Sequence, residues 1–194
     1  MFGKHFQLNE EMMGIVEEIG RHMPGGFFIY KAAKPEELLY ANHAVCDIFG
    51  CSDLEEFKAL TGYTFQGMLY PEDYAAISAS IDEQIEKSAD NMDYVEYRII
   101  RRDGAVRWVD DFGHFTETEA YGGIYYVFIS DITEKREREQ QAVQKALQEA
   151  ERAEAENKRL IEEIESAAKL ADLMGSVENA VLNIFSTFAP SKEM

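Results

Sequence analysis

The spacing of apolar positions changes along this chain, and each change marks an element. Met12, Ile15, Val16, Ile19 and Met23 recur at helical spacing behind Asn9, a plausible cap, with Glu10 and Glu11 in the first turn. Pro24-Gly25-Gly26 would stop that helix, so residues 1–25 are expected to form an N-terminal amphipathic helix. Residues 27–32 and 38–41 then read as strands on either side of Lys34-Pro35-Glu36, a hairpin pattern. Asn42 is suited to cap a helix over residues 43–49 that closes at Gly50. Ser52 with Glu55 predicts a capping box for a further helix through Leu60, closed by Gly62. Residues 63–69 are aromatic and irregular. Pro71, followed by Glu72 and Asp73, opens a helix to about Ala89 whose buried face is Tyr74, Ile77, Ile81 and Ile85. The period then drops to that of strands over residues 94–101, 105–118 (bent near Gly113) and 124–130. Asp103-Gly104 predicts a type I′ turn between the first two, and Gly122-Gly123 a turn between the last two. Two strands, several short helices and three antiparallel strands make an α+β pattern with a five-stranded antiparallel sheet.

From Glu134 to Met174 there is no Gly or Pro, and Glu, Lys, Arg, Ala, Gln and Leu dominate. Glu134/Arg138, Glu154/Lys158 and Glu165/Lys169 are ion-pair spacings in the favourable order. A heptad fits: Val143, Ala150, Asn157, Ile164 and Ala171 take one core position, and Ala146, Ala153, Leu160, Ala167, Met174 and Val181 the other. A lone Asn at a core position favours a parallel, in-register dimer. At 1.5 Å per residue this helix would be ~60 Å long, more than a small domain can cover, so a homodimeric coiled coil is expected rather than a helix packed on its own domain. Beyond Gly175, Val177, Val181, Ile184, Phe185 and Phe188 form a further apolar face that ends at Pro190. The expected division is residues 1–25 as the N-terminal helix, 26–133 as the sheet domain, 134–188 as the coiled-coil linker and 189–194 as a tail, the whole reading as a piece cut in or after a linker.

Charge narrows the partners. The formal net charge of the 194 residues is −18. Residues 1–133 carry 10 Lys+Arg against 24 Asp+Glu, so most of the excess sits on the sheet domain. Such a surface repels phosphate backbones and anionic lipid, which argues against nucleic acid and membrane surfaces as partners. No apolar run reaches the ~20 residues of a membrane helix, and Met1-Phe2-Gly3-Lys4-His5 does not open a signal peptide. Two cysteines make no disulfide framework, and a reducing, cytoplasmic setting is expected.

Four segments together resemble a PAS domain with its C-terminal PAC portion. They are Tyr40-Ala41-Asn42-His43-Ala44-Val45 through Phe49-Gly50, Tyr70-Pro71-Glu72-Asp73, Glu96-Tyr97-Arg98-Ile99 through Arg102-Asp103-Gly104-Ala105-Val106-Arg107-Trp108-Val109, and Asp131-Ile132-Thr133-Glu134. They occur in family order over roughly residues 26–135. The resemblance implies helices on one face of the sheet enclosing a cavity, and a sensory role in a bacterial signalling protein. It also implies an output domain outside this chain, a histidine kinase or a diguanylate cyclase. Asp131, Ile132 and Thr133 would couple the sheet to the signalling helix. The dimer seam would run through Val143, Ala150, Asn157, Leu160, Ile164, Met174 and Val181. The alternative reading is a ligand-free dimerisation or scaffold module.

Catalytic chemistry has no foothold in the motifs: there is no P-loop, no His-Glu-x-x-His and no Gly-x-Ser-x-Gly. Asp110-Asp111 and Glu36-Glu37 are adjacent pairs that a strand would point to opposite faces. Cys46 and Cys51 are too widely spaced for the usual metal site and read as buried thiols. The family's flavin-adduct motif, Asn-Cys-Arg-Phe-Leu-Gln, is missing, and residues 71–89 hold no His for the family's haem mode. Flavin-adduct and His-ligated haem chemistry are therefore not expected; a small organic ligand is. Phe28, Tyr30, Phe49, Phe65, Met68, Tyr97, Trp108 and Phe128 are the candidates for its cavity, each also able to be plain core.

Overall fold

The computed structural model describes residues 25–187, together with Glu18 and Gly20. The expected N-terminal helix, with Met12, Ile15, Val16, Ile19 and Met23, lies outside the described residues, as do Phe188 and the tail 189–194. The chain divides into two compact units after Arg138.

The first unit is built on five strands: β1 (Gly26–Lys31), β2 (Leu38–Ala41), β3 (Met92–Ile100), β4 (Val106–Thr118) and β5 (Gly122–Asp131). They pair antiparallel in the order β2-β1-β5-β4-β3. Two local hairpins thus meet where β5 returns to lie beside β1, Tyr30 opposite Tyr125 and Phe28 opposite Val127. The β3–β4 connection is not the expected type I′ turn. Only Gly104 is left-handed (φ 83°), Gly104 N–H donates to the Arg101 carbonyl, and Arg101 N–H donates to the Ala105 carbonyl. This is a three-residue loop with one glycine in the left-handed region; Asp103 is instead used for its carboxylate, which takes the Ala105 N–H at 2.9 Å.

Four short helices connect the hairpins: α1 (His43–Phe49), α2 (Leu54–Thr61), α3 (Phe65–Met68) and α4 (Tyr74–Lys87). Asn42 caps α1 by accepting the Val45 N–H, and the same oxygen accepts the Phe27 N–H at 2.9 Å, so one amide fixes helix to strand. The cap of α2 is Asp53 rather than Ser52. Its carboxylate accepts the Glu56 N–H, and Glu56 reaches back to the Ser52 N–H, each at 2.9 Å, which shifts the reciprocal box by one residue. Helix α4 begins three residues after Pro71. Asp73 at its cap position makes no cap bond; its carboxylate accepts instead from the Arg98 backbone N–H and Nε at 3.0 Å and from Nη2 at 2.5 Å. These charge-assisted bonds hold the Asp73 carboxyl below its ordinary pKa and pin α4 to the edge strand β3.

All four helices contribute to one core on the inner face of the sheet. Val45, Phe49, Phe57, Phe65 and Ile81 meet Phe28, Tyr97, Ile99, Val109, Val127 and Ile129 there. Strand alternation sends the other residues to the opposite, outer face, where Ile29, Tyr40 and Ile124 form a smaller cluster. Phe112 and Phe128 lie opposite one another on that outer face and are 48% and 44% exposed.

Helix α5 (Thr133–Thr187) follows β5 with only Ile132 between them. The second unit is its continuation, helical through Gly175 as far as Thr187. Among the described residues no helix is long and apolar enough to cross a membrane.

Candidate functional site

Of the eight aromatic or Met positions singled out by sequence, the structure brings six together. Phe28, Tyr30, Phe49, Phe65, Met68 and Tyr97 are all buried in the inner-face core. Tyr30 is sandwiched between two rings: Phe65 stacks on it at 4.5 Å and Tyr125 at 4.8 Å, nearly parallel in both cases. Tyr97 meets Phe65 edge-on at 6.1 Å, and Phe49 meets Phe57 in the same manner at 5.1 Å. Trp108 and Phe128 lie on the other face. Their strand phase opposes that of Val109 and Val127, Phe128 packs on Phe27 at 4.9 Å, and the Arg136 guanidinium sits 3.9 Å from the Trp108 ring centre.

The inner face also holds two carboxyl groups that motif reasoning passed over. Asp93 is 4% exposed and Asp111 1%. They sit diagonally on neighbouring strands, Asp93 opposite Gly113 and Asp111 opposite Val95. Tyr97 donates its hydroxyl to Asp111 Oδ2 at 2.8 Å. Asp93 Oδ1 is buried with no hydrogen-bond partner among the described residues. Burial raises the Asp93 pKa to about 6 and raises that of Asp111 well above the carboxylate range, with Asp93 adding to the rise at Asp111. The same burial, reinforced by the nearby Asp111 carboxyl, pushes the Tyr30 and Tyr97 phenols up. Strand phase was the available signal: Asp93 alternates with Val95, Tyr97 and Ile99, and Asp111 with Val109, so both carboxylates stand where a core residue belongs. Asp110, one residue away, points outward and accepts the Ser130 N–H, so the adjacent pair does split across the sheet.

A second polar knot closes the rim beside β2. Glu36, buried and at φ 60°, accepts from Lys34 at 2.6 Å and from the Tyr74 hydroxyl at 2.9 Å, while Lys34 also bonds Tyr74 and lies over its ring. Cys46 and Cys51 are both buried and free, and burial pushes the Cys46 thiol up to about 11. Among the described residues no group of three His, Cys, Asp or Glu could hold a metal ion.

At the exit from the sheet, Asp131 Oδ1 accepts the Thr133 N–H at 2.9 Å and so caps α5. Ile132 is buried, and its N–H donates to the Trp108 carbonyl at 2.9 Å. The Thr133 hydroxyl oxygen accepts the Trp108 N–H at 2.8 Å, tying the first turn to β4 as well. One turn later Arg136 pairs with Glu96 of β3 at 2.8 Å. The triplet and that turn therefore contact β3, β4 and β5 together. In the second unit, Val143, Ala150, Asn157, Leu160, Ile164, Met174 and Val181 are all exposed, and so are Leu170, Val177 and Ile184.

Residues 38–128 match the family model described as the PAS fold. Among solved structures, the chain is similar to an RNA-binding light-oxygen-voltage receptor at 20% identity and a TM-score of 0.52, covering 75% of this chain and 41% of that one. It is also similar to a PAS domain from a two-component sensor histidine kinase (17% identity, TM-score 0.49, 63% of this chain and 97% of that one). A third likeness is to the PAS domain of an HTR-like protein from Haloarcula marismortui (19% identity, TM-score 0.48, 63% and 93%). At these identities the likeness concerns the fold alone. No curated protein matches the chain.

Proposed function

We propose that this chain, a member of the PAS family by its residues 38–128, is the sensory module of a bacterial signal-transduction protein working in the cytoplasm. It senses a small molecule on the inner face of its sheet. It relays the change through a dimeric α5 to an output domain outside this chain, a histidine kinase or a diguanylate cyclase. The observation that carries the reading is the junction. β5 passes into a helix of 55 residues across one buried residue, and the first turn of that helix is bonded to two further strands. A displacement of β4 or β5 must then move Trp108, Thr133 and Arg136 together, which rotates or tilts the start of the helix. In a parallel pair, that motion alters how the two helices cross. On this reading the module acts by binding rather than turnover.

One observation favours the alternative of a ligand-free dimerisation module: the Phe65–Tyr30–Tyr125 stack fills part of the inner face with the protein's own rings. Native mass spectrometry of the purified chain separates the two. The sensory reading expects a dimer carrying a small molecule, or gaining one from a metabolite extract. A dimer that never carries one, under either condition, makes this a scaffold.

A further inference from the structure

Two acids inside an apolar core need an explanation. Asp93 and Asp111 stand on the inner face, and among the described residues neither forms an ion pair with Lys or Arg. Asp111 is held by the Tyr97 hydroxyl, but Asp93 Oδ1 has no hydrogen-bond partner among the described residues. Gly113, directly across from Asp93, gives this carboxylate the room it occupies. A Cβ there would come within 2.3 Å of Asp93 Oδ1, so any other residue would push the carboxylate aside. An orphaned buried acceptor is destabilising, and such groups persist where a site needs them.

We propose that Asp93 and Asp111 are the recognition head for a small organic cation, a protonated amine with an apolar or aromatic body. This rests on the sensory reading above and names the ligand class of that same site. Asp93 offers the free acceptor, and Asp111, oriented by Tyr97, offers the second charge. Once ionised, the same two carboxylates would repel an anionic ligand in a setting of low dielectric. A metal ion is a poorer fit, because no third carboxylate, His or Cys joins the pair among the described residues. Burial holds both carboxyls toward their neutral forms, so an incoming ammonium group would draw them into ionisation and release protons. The head also lies on the relay: Gly113 pairs with Val127 of β5, four residues before Asp131.

Calorimetry on the full chain tests this with tyramine, its neutral counterpart tyrosol, the anion phenylacetate, and the diamine putrescine. An amine is expected to bind at least roughly tenfold tighter than tyrosol, with phenylacetate weaker still. Asp93→Asn should weaken amine binding at least roughly tenfold while the domain stays folded, and Asp111→Asn should do the same, since its amide oxygen still accepts from Tyr97. Proton release on amine binding near pH 6 is a signature that mere core packing would not give. Failure of both amines to bind, equal binding of tyrosol or phenylacetate, or unchanged amine affinity in Asp93→Asn would overturn the proposal. Binding of phenylacetate that both Asn variants retain would leave the sensory reading standing without the cationic head. A chain that binds no probe and carries no molecule by mass spectrometry would remove both.

Discussion

At the scale of single residues, Asp93 has a consequence that needs no ligand. Its pKa is raised from 3.8 to about 6 by burial, so the folded state holds the proton more tightly than the unfolded chain does. The corresponding stability is fully present below pH ~4 and is lost as pH rises through 6. A rise of that size corresponds to a loss of about 3 kcal/mol. Comparing Asp93→Asn with wild type by urea unfolding at several pH values should show the variant gaining up to about 3 kcal/mol, relative to wild type, between pH 4 and pH 7. An unchanged difference across that range would mean that Asp93 reaches solvent. Arg98 allows a second prediction of opposite sign. Arg98→Ala strips the Asp73 carboxylate of its side-chain partners, although the backbone N–H remains. Destabilisation is expected in the same assay at pH 7, shrinking in acid as Asp73 becomes protonated.

At the scale of elements, the junction and the long helix differ in what holds them. The start of α5 is held by tertiary bonds. Thr133→Val leaves the half-buried Trp108 backbone N–H without its acceptor and should destabilise the domain by about 1 kcal/mol. Trp108 is the chain's single tryptophan and lies under Arg136, so its emission reports this turn directly. Loosening should shift the emission to the red, and an unmoved spectrum would show that the tie to β4 is dispensable. Further along, α5 passes through Gly175, its one glycine. A Cβ there meets nothing within 4 Å. Gly175→Ala should therefore favour the helix by about 0.5–1 kcal/mol, read as a higher melting temperature by circular dichroism at the same protein concentration. The helix is continuous because its neighbours are good helix formers on both sides, and one glycine weakens such a run without ending it.

At the scale of the whole molecule, the apolar positions of α5 ask for a partner. Leu160, Ile164, Met174 and Val181 are exposed along a helix of low apolar content, as are Leu170, Val177 and Ile184 beside them. From Ala167 onward, the spacing Leu170, Met174, Val177, Val181, Ile184 makes a second seam next to the first, a phase change of the kind that over- or unwinds a coiled coil locally. Sedimentation at tens of micromolar should show the full chain as a dimer. Replacing Leu160 and Ile164 together by Ala should weaken that association, with the sheet domain still folded. A monomeric full chain would sink the dimeric relay. In the intact parent, Asp131→Ala should then uncouple signal from output without unfolding the domain.

The sequence by itself determined the order and type of the five strands and of α1, α2, α4 and α5. Strand and helix periods are local, and Asn42, Gly50, Gly62 and Gly104 are local stop and start signals that act within a few residues. It also determined that Asp110 and Asp111 must part across a strand. Details that depend on competition between neighbours were decided by packing. Asp53 displaced Ser52 as a cap, and Asp73 was drawn from its helix to Arg98 across 25 residues of chain. Only tertiary structure decided which strand face is the inside. Register places Phe28, Tyr30 and Tyr97 against the helices and turns Trp108 and Phe128 to the other side, since a period of two sorts residues into faces without saying which face is covered. The same choice buried Asp93 and Asp111. Composition marks a carboxylate as a surface residue, and it takes the folded sheet to show two of them enclosed among aromatic rings.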